Sequence, residues 1–166
     1  EIDEAIKKTV SMGNMSSLNS YEEVFLAENL LNLHPWSNKV KFARTGAEAC
    51  AIAIRIGRAF SGKDNIAFSG YHGWHDWYLA ANVGKKKNLN THLLPGLEPK
   101  GVPKNLKNTI FPFDFNDFAK LEELVQYRNI GVINMEVTRN NPPKKNFLEK
   151  VRKLATKNNI VLIFDE

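Results

Sequence analysis

Ile160-Val161-Leu162-Ile163-Phe164-Asp165-Glu166 reads as a strand buried on both faces that runs into a site: five apolar residues in a row, then two acids. Strands of that kind belong to parallel sheets covered by helices, so helices should alternate with strands upstream. Phe147 to Asn158 puts Leu148, Val151 and Leu154 on one face and reads as a helix. Ile130 to Val137, Thr109 to Phe113 and Asn65 to Ser69 read as strands. Between them, Asn116 is expected to cap a helix carrying Phe118, Leu121, Leu124 and Val125. Gly46 to Phe60 has an apolar stripe of Ala49, Ile52, Ala53, Ile56 and Ala59, and Gly62 stops it. Lys39 to Arg44 alternates and reads as another strand, and Asp76 to Val83 as a short helix. Ser20 with Glu23 forms a capping box before a helical stretch to about Leu33, which Pro35 ends. The fold class is α/β, a mainly parallel sheet flanked by helices. Residues 1–34 form a helical lead-in, and 35–166 an incomplete large domain. A buried strand is an unusual place for a domain to stop, so these residues are expected to be a piece of a longer protein.

Composition narrows the function classes. Apolar residues make up 43% and charged residues 25%, as in soluble globular proteins. The apolar stretches are too short to span a bilayer and neither end reads as a targeting peptide, so no membrane partner is expected. Cys50 is the single cysteine; it excludes an internal disulfide and fits a reducing compartment, which makes a cytoplasmic location the expectation. Net charge is +5, with Lys85, Lys86 and Lys87 as the densest basic run. The run lacks interleaved aromatics and any nucleic-acid motif, so it reads as a solvated loop and no nucleic-acid partner is expected. Gly84 to Lys107 reads as a long loop, a feature that is usually functional or mobile in a compact domain.

Ligands of such sheets sit beyond the carboxyl ends of the strands. Thr45-Gly46-Ala47-Glu48-Ala49 offers backbone N–H groups at a helix N-terminus, which suits a phosphate, although such a turn also serves simply to join two elements. Gly70-Tyr71-His72-Gly73-Trp74-His75-Asp76-Trp77 places an aromatic where it can stack on a planar ligand. His72, His75 and Asp76 raise the question of a metal, but no cysteine or third histidine completes a set, and none is expected. Trp74 and Trp77 read as packing residues. Glu136, followed by Asn141, and Asp165 lie at the ends of two further strands. A carboxylate there either pairs or has its pKa raised.

Three segments carry a resemblance. Thr45 to Ala49 resembles the Ser-Gly-Thr-Glu-Ala segment of class III aminotransferases, Tyr71-His72-Gly73 matches their Tyr-His-Gly, and Phe164-Asp165-Glu166 matches the start of their Asp-Glu-Val segment. Gly101-Val102-Pro103 and the strand bearing Glu136 extend the likeness over nearly the whole chain, most of all toward the glutamate-1-semialdehyde 2,1-aminomutase branch. The resemblance implies part of the large domain of a fold type I enzyme that uses pyridoxal 5'-phosphate, cycling through its pyridoxamine form. It implies a small amine or keto substrate and a homodimer. By similarity the backbone of Thr45, Gly46 and Ala47 would hold the phosphate, and Tyr71 would stack on the ring with His72 beside it. Asp165 would pair with the protonated ring nitrogen as a catalytic residue, making the ring an electron sink. Glu136, also assigned as catalytic, and Asn141 would face the 3-hydroxyl side. The Gly84–Lys107 loop resembles one that shields the site. The family's catalytic lysine would follow Asp165 beyond this chain, so the piece by itself is expected to be inactive.

Departures from the family pattern leave the substrate open. Ala47 replaces a threonine, Val137 replaces a proline, and Trp74 and Trp77 add bulk. Glutamate semialdehyde and another amine or keto compound, including a sugar-derived one, both remain, as do transfer and intramolecular mutation. Three other readings stay open. One is a catalytically inactive domain of the same fold. Another is a nucleotide-binding oxidoreductase, which would need a G-x-G-x-x-G fingerprint that the sequence lacks. The third is a hydrolase using His72 or His75 with Asp76, for which no nucleophile elbow is present.

Overall fold

The computed structural model describes all residues except 14–16, 19, 85–87, 91, 93–97 and 139, so the basic run at 85–87 and part of the long loop lie outside the described residues. The chain divides into two compact units, Glu1–Phe42 and Ala43–Glu166.

In the first unit, α1 (Ile2–Met12) and α2 (Tyr21–Leu33) are helices. Asp3 and Glu4 place negative charge in the first turn of α1, where the helix dipole favours it. The Ser20 hydroxyl accepts the Glu23 N–H at the start of α2, as the capping box requires. Lys39 to Arg44 is not a strand. Alternation alone makes an extended segment; a strand also needs a neighbour to complete its ladder.

The second unit is built on a four-stranded parallel sheet of β1 (Asn65–Ser69), β2 (Ile110–Pro112), β3 (Ile130–Glu136) and β4 (Val161–Asp165), in the order β2-β1-β3-β4. Side chains alternate between its faces. Ile66, Phe68 and Val132 pack with Cys50 and Ile54 of α3 (Gly46–Ser61). Ala67, Ile133 and Met135 pack with Leu121 and Leu124 of α6 (Phe118–Tyr127) and with Val151 and Ala155 of α7 (Phe147–Lys157). The result is helix, sheet and helix in layers. Gly57 lets α3 lie close to the sheet, because a Cβ there would fall 2.8 Å from Val132 Cγ2.

Four local expectations are corrected. Asp117, not Asn116, caps α6: its carboxylate accepts the Lys120 N–H at 2.9 Å. Asn116 instead turns through a left-handed φ of 70°, donating to the Pro142 carbonyl and accepting the Lys144 N–H. Asp76 to Val83 is two short helices, α4 (Asp76–Leu79) and α5 (Ala81–Gly84). Trp77 is buried as expected of a packing residue, whereas Trp74 is exposed and stacks on His75 at 5.5 Å. β4 is only half-buried, with Phe164 exposed, because among the described strands it pairs on one side alone.

Candidate active site

β1 is followed in sequence by β2 on one side of it and then by β3 on the other, so the strand order reverses between β1 and β3. A crevice opens at such a switch point, beyond the carboxyl ends of the strands. The residues singled out from the sequence gather there. Tyr71 N–H donates to Glu136 Oε1 at 3.3 Å, tying the turn after β1 to the end of β3. Glu136 and Asp165 are register partners across β3 and β4. Asn141 lines the same cavity as Glu136.

The turn is held from several sides. Gly70 has φ 108°, and a Cβ on it would meet the Glu136 carboxyl carbon at 2.6 Å. The Tyr78 hydroxyl donates to the Gly70 carbonyl at 3.0 Å. Gly73, at φ 92°, rests on Ala47, whose Cβ would lie 2.4 Å from a Cβ added there. That contact seats the Tyr-His-Gly turn against the N-terminus of α3. At this helix end the Thr45 hydroxyl accepts the Glu48 N–H, and the Glu48 carboxylate accepts the Arg44 N–H. A Cβ added to Gly46 would meet nothing within 4 Å, so this position in the first turn of α3 is uncrowded.

His72 is buried. Its Nδ1 lies 2.8 Å from Asp165 Oδ2 and its Nε2 lies 3.0 Å from the Ser69 carbonyl. Both partners are hydrogen-bond acceptors, so each ring nitrogen is aimed at an oxygen. Trp77 stacks on its face at 6.2 Å. Cys50 Sγ–H also donates to Asp165 Oδ2, at 3.3 Å. The His72 hydrogen bond holds the Asp165 carboxyl below the usual range; burial opposes this and the Cys50 bond adds to it. Two donors therefore converge on Oδ2.

Sequence reasoning missed Cys50 and His92. Cys50 lies 115 residues from its partner, and nothing in its local pattern distinguishes it from a core residue. Metal-ligand reasoning centred on His72, His75 and Asp76, whereas among the described residues the donor atoms that approach within 4.8 Å of one another belong to Cys50, His72 and Asp165. Burial, and secondarily the Asp165 carboxylate, push the Cys50 thiol up to about 12. In the intact polypeptide Cys50 should therefore react with iodoacetamide at pH 8 on the order of a thousandfold more slowly in the native than in the denatured state. This folded-state pKa lies above the ordinary 9.0, so the thiol's contribution to stability is full below pH 9 and is lost as pH rises toward 12. Equal alkylation rates in the two states would refute the buried thiol.

The family model described as Aminotransferase class-III matches residues 1–166. Glutamate-1-semialdehyde 2,1-aminomutase of Methanobrevibacter smithii is 36% identical over 169 residues, covering 97% of this chain and 38% of the relative. The 3-aminobutyryl-CoA aminotransferase of Cloacimonas acidaminovorans is 31% identical over 175 residues, covering 100% of this chain and 38% of the relative. Among solved structures, an omega-transaminase from Sphaerobacter thermophilus superposes with a TM-score of 0.81 at 25% identity, over 98% of this chain and 39% of that one. A glutamate-1-semialdehyde aminomutase from Pseudomonas aeruginosa shares the fold, with a TM-score of 0.75 at 20% identity over 98% of this chain and 36% of that one. The chain spans 38% of the length of the two curated relatives.

Proposed function

The chain belongs to the class-III aminotransferase family, and on that premise we propose that the intact polypeptide is a pyridoxal-phosphate enzyme that moves amino groups, either as an aminotransferase or as a glutamate-1-semialdehyde 2,1-aminomutase-like enzyme. The observation that carries this reading is the convergence of His72 and Cys50 on Asp165 Oδ2, which fixes the carboxylate at the end of β4.

The residues fit the cofactor's chemical parts. Backbone N–H groups of Thr45, Gly46 and Ala47 at the α3 N-terminus suit its phosphate. The half-exposed Tyr71 ring suits stacking on its pyridine face and keeping water from that side. Bound there, pyridoxal phosphate supplies an electron-withdrawing ring conjugated to the substrate nitrogen. The Asp165 carboxylate would hold a proton at the ring nitrogen, and His72 would fix the carboxylate's angle. Glu136 and Asn141 would face the 3-hydroxyl side, where Glu136 can accept or hold a proton while its Oε1 anchors the Tyr71 N–H. The substrate is a small amine or keto compound.

The reading extends to a cytoplasmic homodimer. The single thiol, buried and protonated, is compatible with a reducing compartment. Ile2, Ile6 and Val10 form an exposed apolar stripe on α1, of the kind that association covers. Because the chain corresponds to 38% of its relatives' length, activity is a property of the whole polypeptide; these residues alone are expected to be inactive. The test is an absorbance spectrum of the intact protein. A yellow protein that bleaches when an amine donor is added is the expected result. A colourless protein indifferent to vitamin B6 phosphate would overturn the reading.

A further inference from the structure

Cys50, His72 and Asp165 come from three separate parts of the fold: α3, the turn after β1 and the end of β4. Each offers one ligand atom, Sγ, Nδ1 and Oδ2, and the three atoms lie within 4.8 Å of one another. Nδ1 is 2.8 Å from Oδ2, and Sγ is 3.3 Å from it. One cation can therefore reach all three at ordinary zinc bond lengths of about 2.0–2.3 Å. The cysteine that the His72, His75 and Asp76 segment lacked is supplied by α3. The setting of His72 suits a ligand. Its Nε2 lies 3.0 Å from the Ser69 carbonyl, which can only accept, so Nε2 carries a proton. Metal-binding histidines are held in this way: the far nitrogen donates to a carbonyl and the near one presents its lone pair. Trp77 stacks on the ring and braces its plane. Cys50 and His72 are buried, whereas the Asp165 side chain is 28% exposed and leaves a way in from solvent.

We propose that Cys50, His72 and Asp165 form a binding site for a divalent cation of the zinc class, open to it in the cofactor-free protein and antagonistic to pyridoxal phosphate. The cation takes the place of the hydrogens now shared with Asp165 Oδ2. As the metal–sulfur bond forms, the Cys50 proton leaves to solvent, because a coordinated thiol is deprotonated outright. His72 contributes the Nδ1 lone pair, Asp165 contributes Oδ2, and water completes a tetrahedral set. One sulfur, one nitrogen and one oxygen select Zn²⁺ or Co²⁺ over Mg²⁺ and Ca²⁺, which take oxygen ligands. The antagonism follows from charge, and it rests on the reading of Asp165 as the partner of the cofactor's ring nitrogen. A carboxylate bonded to a dication cannot also balance a protonated ring, and two positive centres on one carboxylate repel each other.

The test uses the intact polypeptide freed of cofactor, with Co²⁺ as the spectroscopic stand-in for Zn²⁺. Added Co²⁺ should produce a thiolate-to-cobalt charge-transfer band in the near ultraviolet. Zn²⁺ should discharge that band and Mg²⁺ should not. Cys50→Ser keeps a hydroxyl donor for Asp165 but removes the sulfur. It should lose the band and bind Zn²⁺ about a hundredfold more weakly, at least the upper cost of losing an outer-shell partner. A second readout needs no variant: paramagnetic Co²⁺ should strongly shift the ring ¹⁵N signals of His72 in the wild type. No band in the wild type, a band undiminished in Cys50→Ser, or His72 signals that ignore Co²⁺ would each overturn the site. Pyridoxal phosphate added to the cobalt form should abolish both signals, and by reciprocity Zn²⁺ should weaken cofactor binding. A cobalt form that keeps its band and its His72 shift with the cofactor bound would uphold the cation site and overturn the pairing of Asp165 with the ring.

Discussion

Asp165→Ala in the intact polypeptide is expected to lower the reactivity of the bound cofactor toward an amine by about a thousandfold, the scale on which losing one preorganised electrostatic partner is felt in other active sites. The proposed role of the carboxylate is to keep a positive charge on the ring nitrogen, and alanine leaves nothing in its place. Asp117→Ala is the control. Asp117 caps α6 and is assigned no part in holding the cofactor, so its loss should cost about 1 kcal/mol of stability and leave the reaction rate unchanged. If the two variants lost activity equally, the assignment of Asp165 would fail. The variant has a second signature: without the carboxylate, one of the causes that raises the Cys50 thiol is gone, so native-state alkylation should accelerate relative to the wild type. The pH dependence has a defined sign. The Asp165 pKa is lowered from the ordinary 3.8, so its contribution to stability is present above that value and is lost as pH falls below it toward the folded-state pKa. In Asp165→Ala this acid-limb term should vanish from the unfolding curve.

Gly73→Ala should be the most disruptive single methyl in the site. Gly73 sits at φ 92°, and the new Cβ would fall 2.4 Å from Ala47 Cβ and 2.8 Å from Ala47 Cα. The left-handed backbone costs a side chain about 1–2 kcal/mol. The collision adds about 1–3 kcal/mol, because helix backbone rather than a flexible side-chain tip must give way. Relief would push the Tyr71 turn off the start of α3, separating the proposed stacking ring from the proposed phosphate cradle. Thermal denaturation should show the loss, and cofactor affinity should fall with it. Gly101→Ala supplies the comparison: φ there is 89°, and nothing lies within 4 Å of an added Cβ. It should show the backbone cost without the collision. Ala47→Gly combined with Gly73→Ala should recover the part of that difference owed to the Ala47 Cβ, while the 2.8 Å approach to its Cα remains, a coupling that a double-mutant cycle measures. If Gly73→Ala were no worse than Gly101→Ala, the turn would not be braced on Ala47.

Much of the architecture was legible in the residues alone. Asn65–Ser69 is the strand that its apolar run predicted, Gly62 closes α3 in a left-handed turn, and Ser20 caps α2. These features depend on neighbours a few residues away, through side-chain periodicity, capping hydrogen bonds and glycine's freedom at positive φ, so they are written locally. The family resemblance is legible for a similar reason: each motif is a short run that must present backbone and side chain together at one strand end. What only the tertiary structure decided is partnership at a distance. His72 finds Asp165 across 93 residues and Cys50 finds it across 115, while the Gly70 N–H reaches His92 across 22. Lys39 to Arg44 has a strand's alternation and no ladder, and Asn116 has a capping residue's chemistry and no helix to cap, the cap being one residue further on. In each case the outcome was set by strand order and register, which fix who stands beside whom, and no local periodicity encodes that.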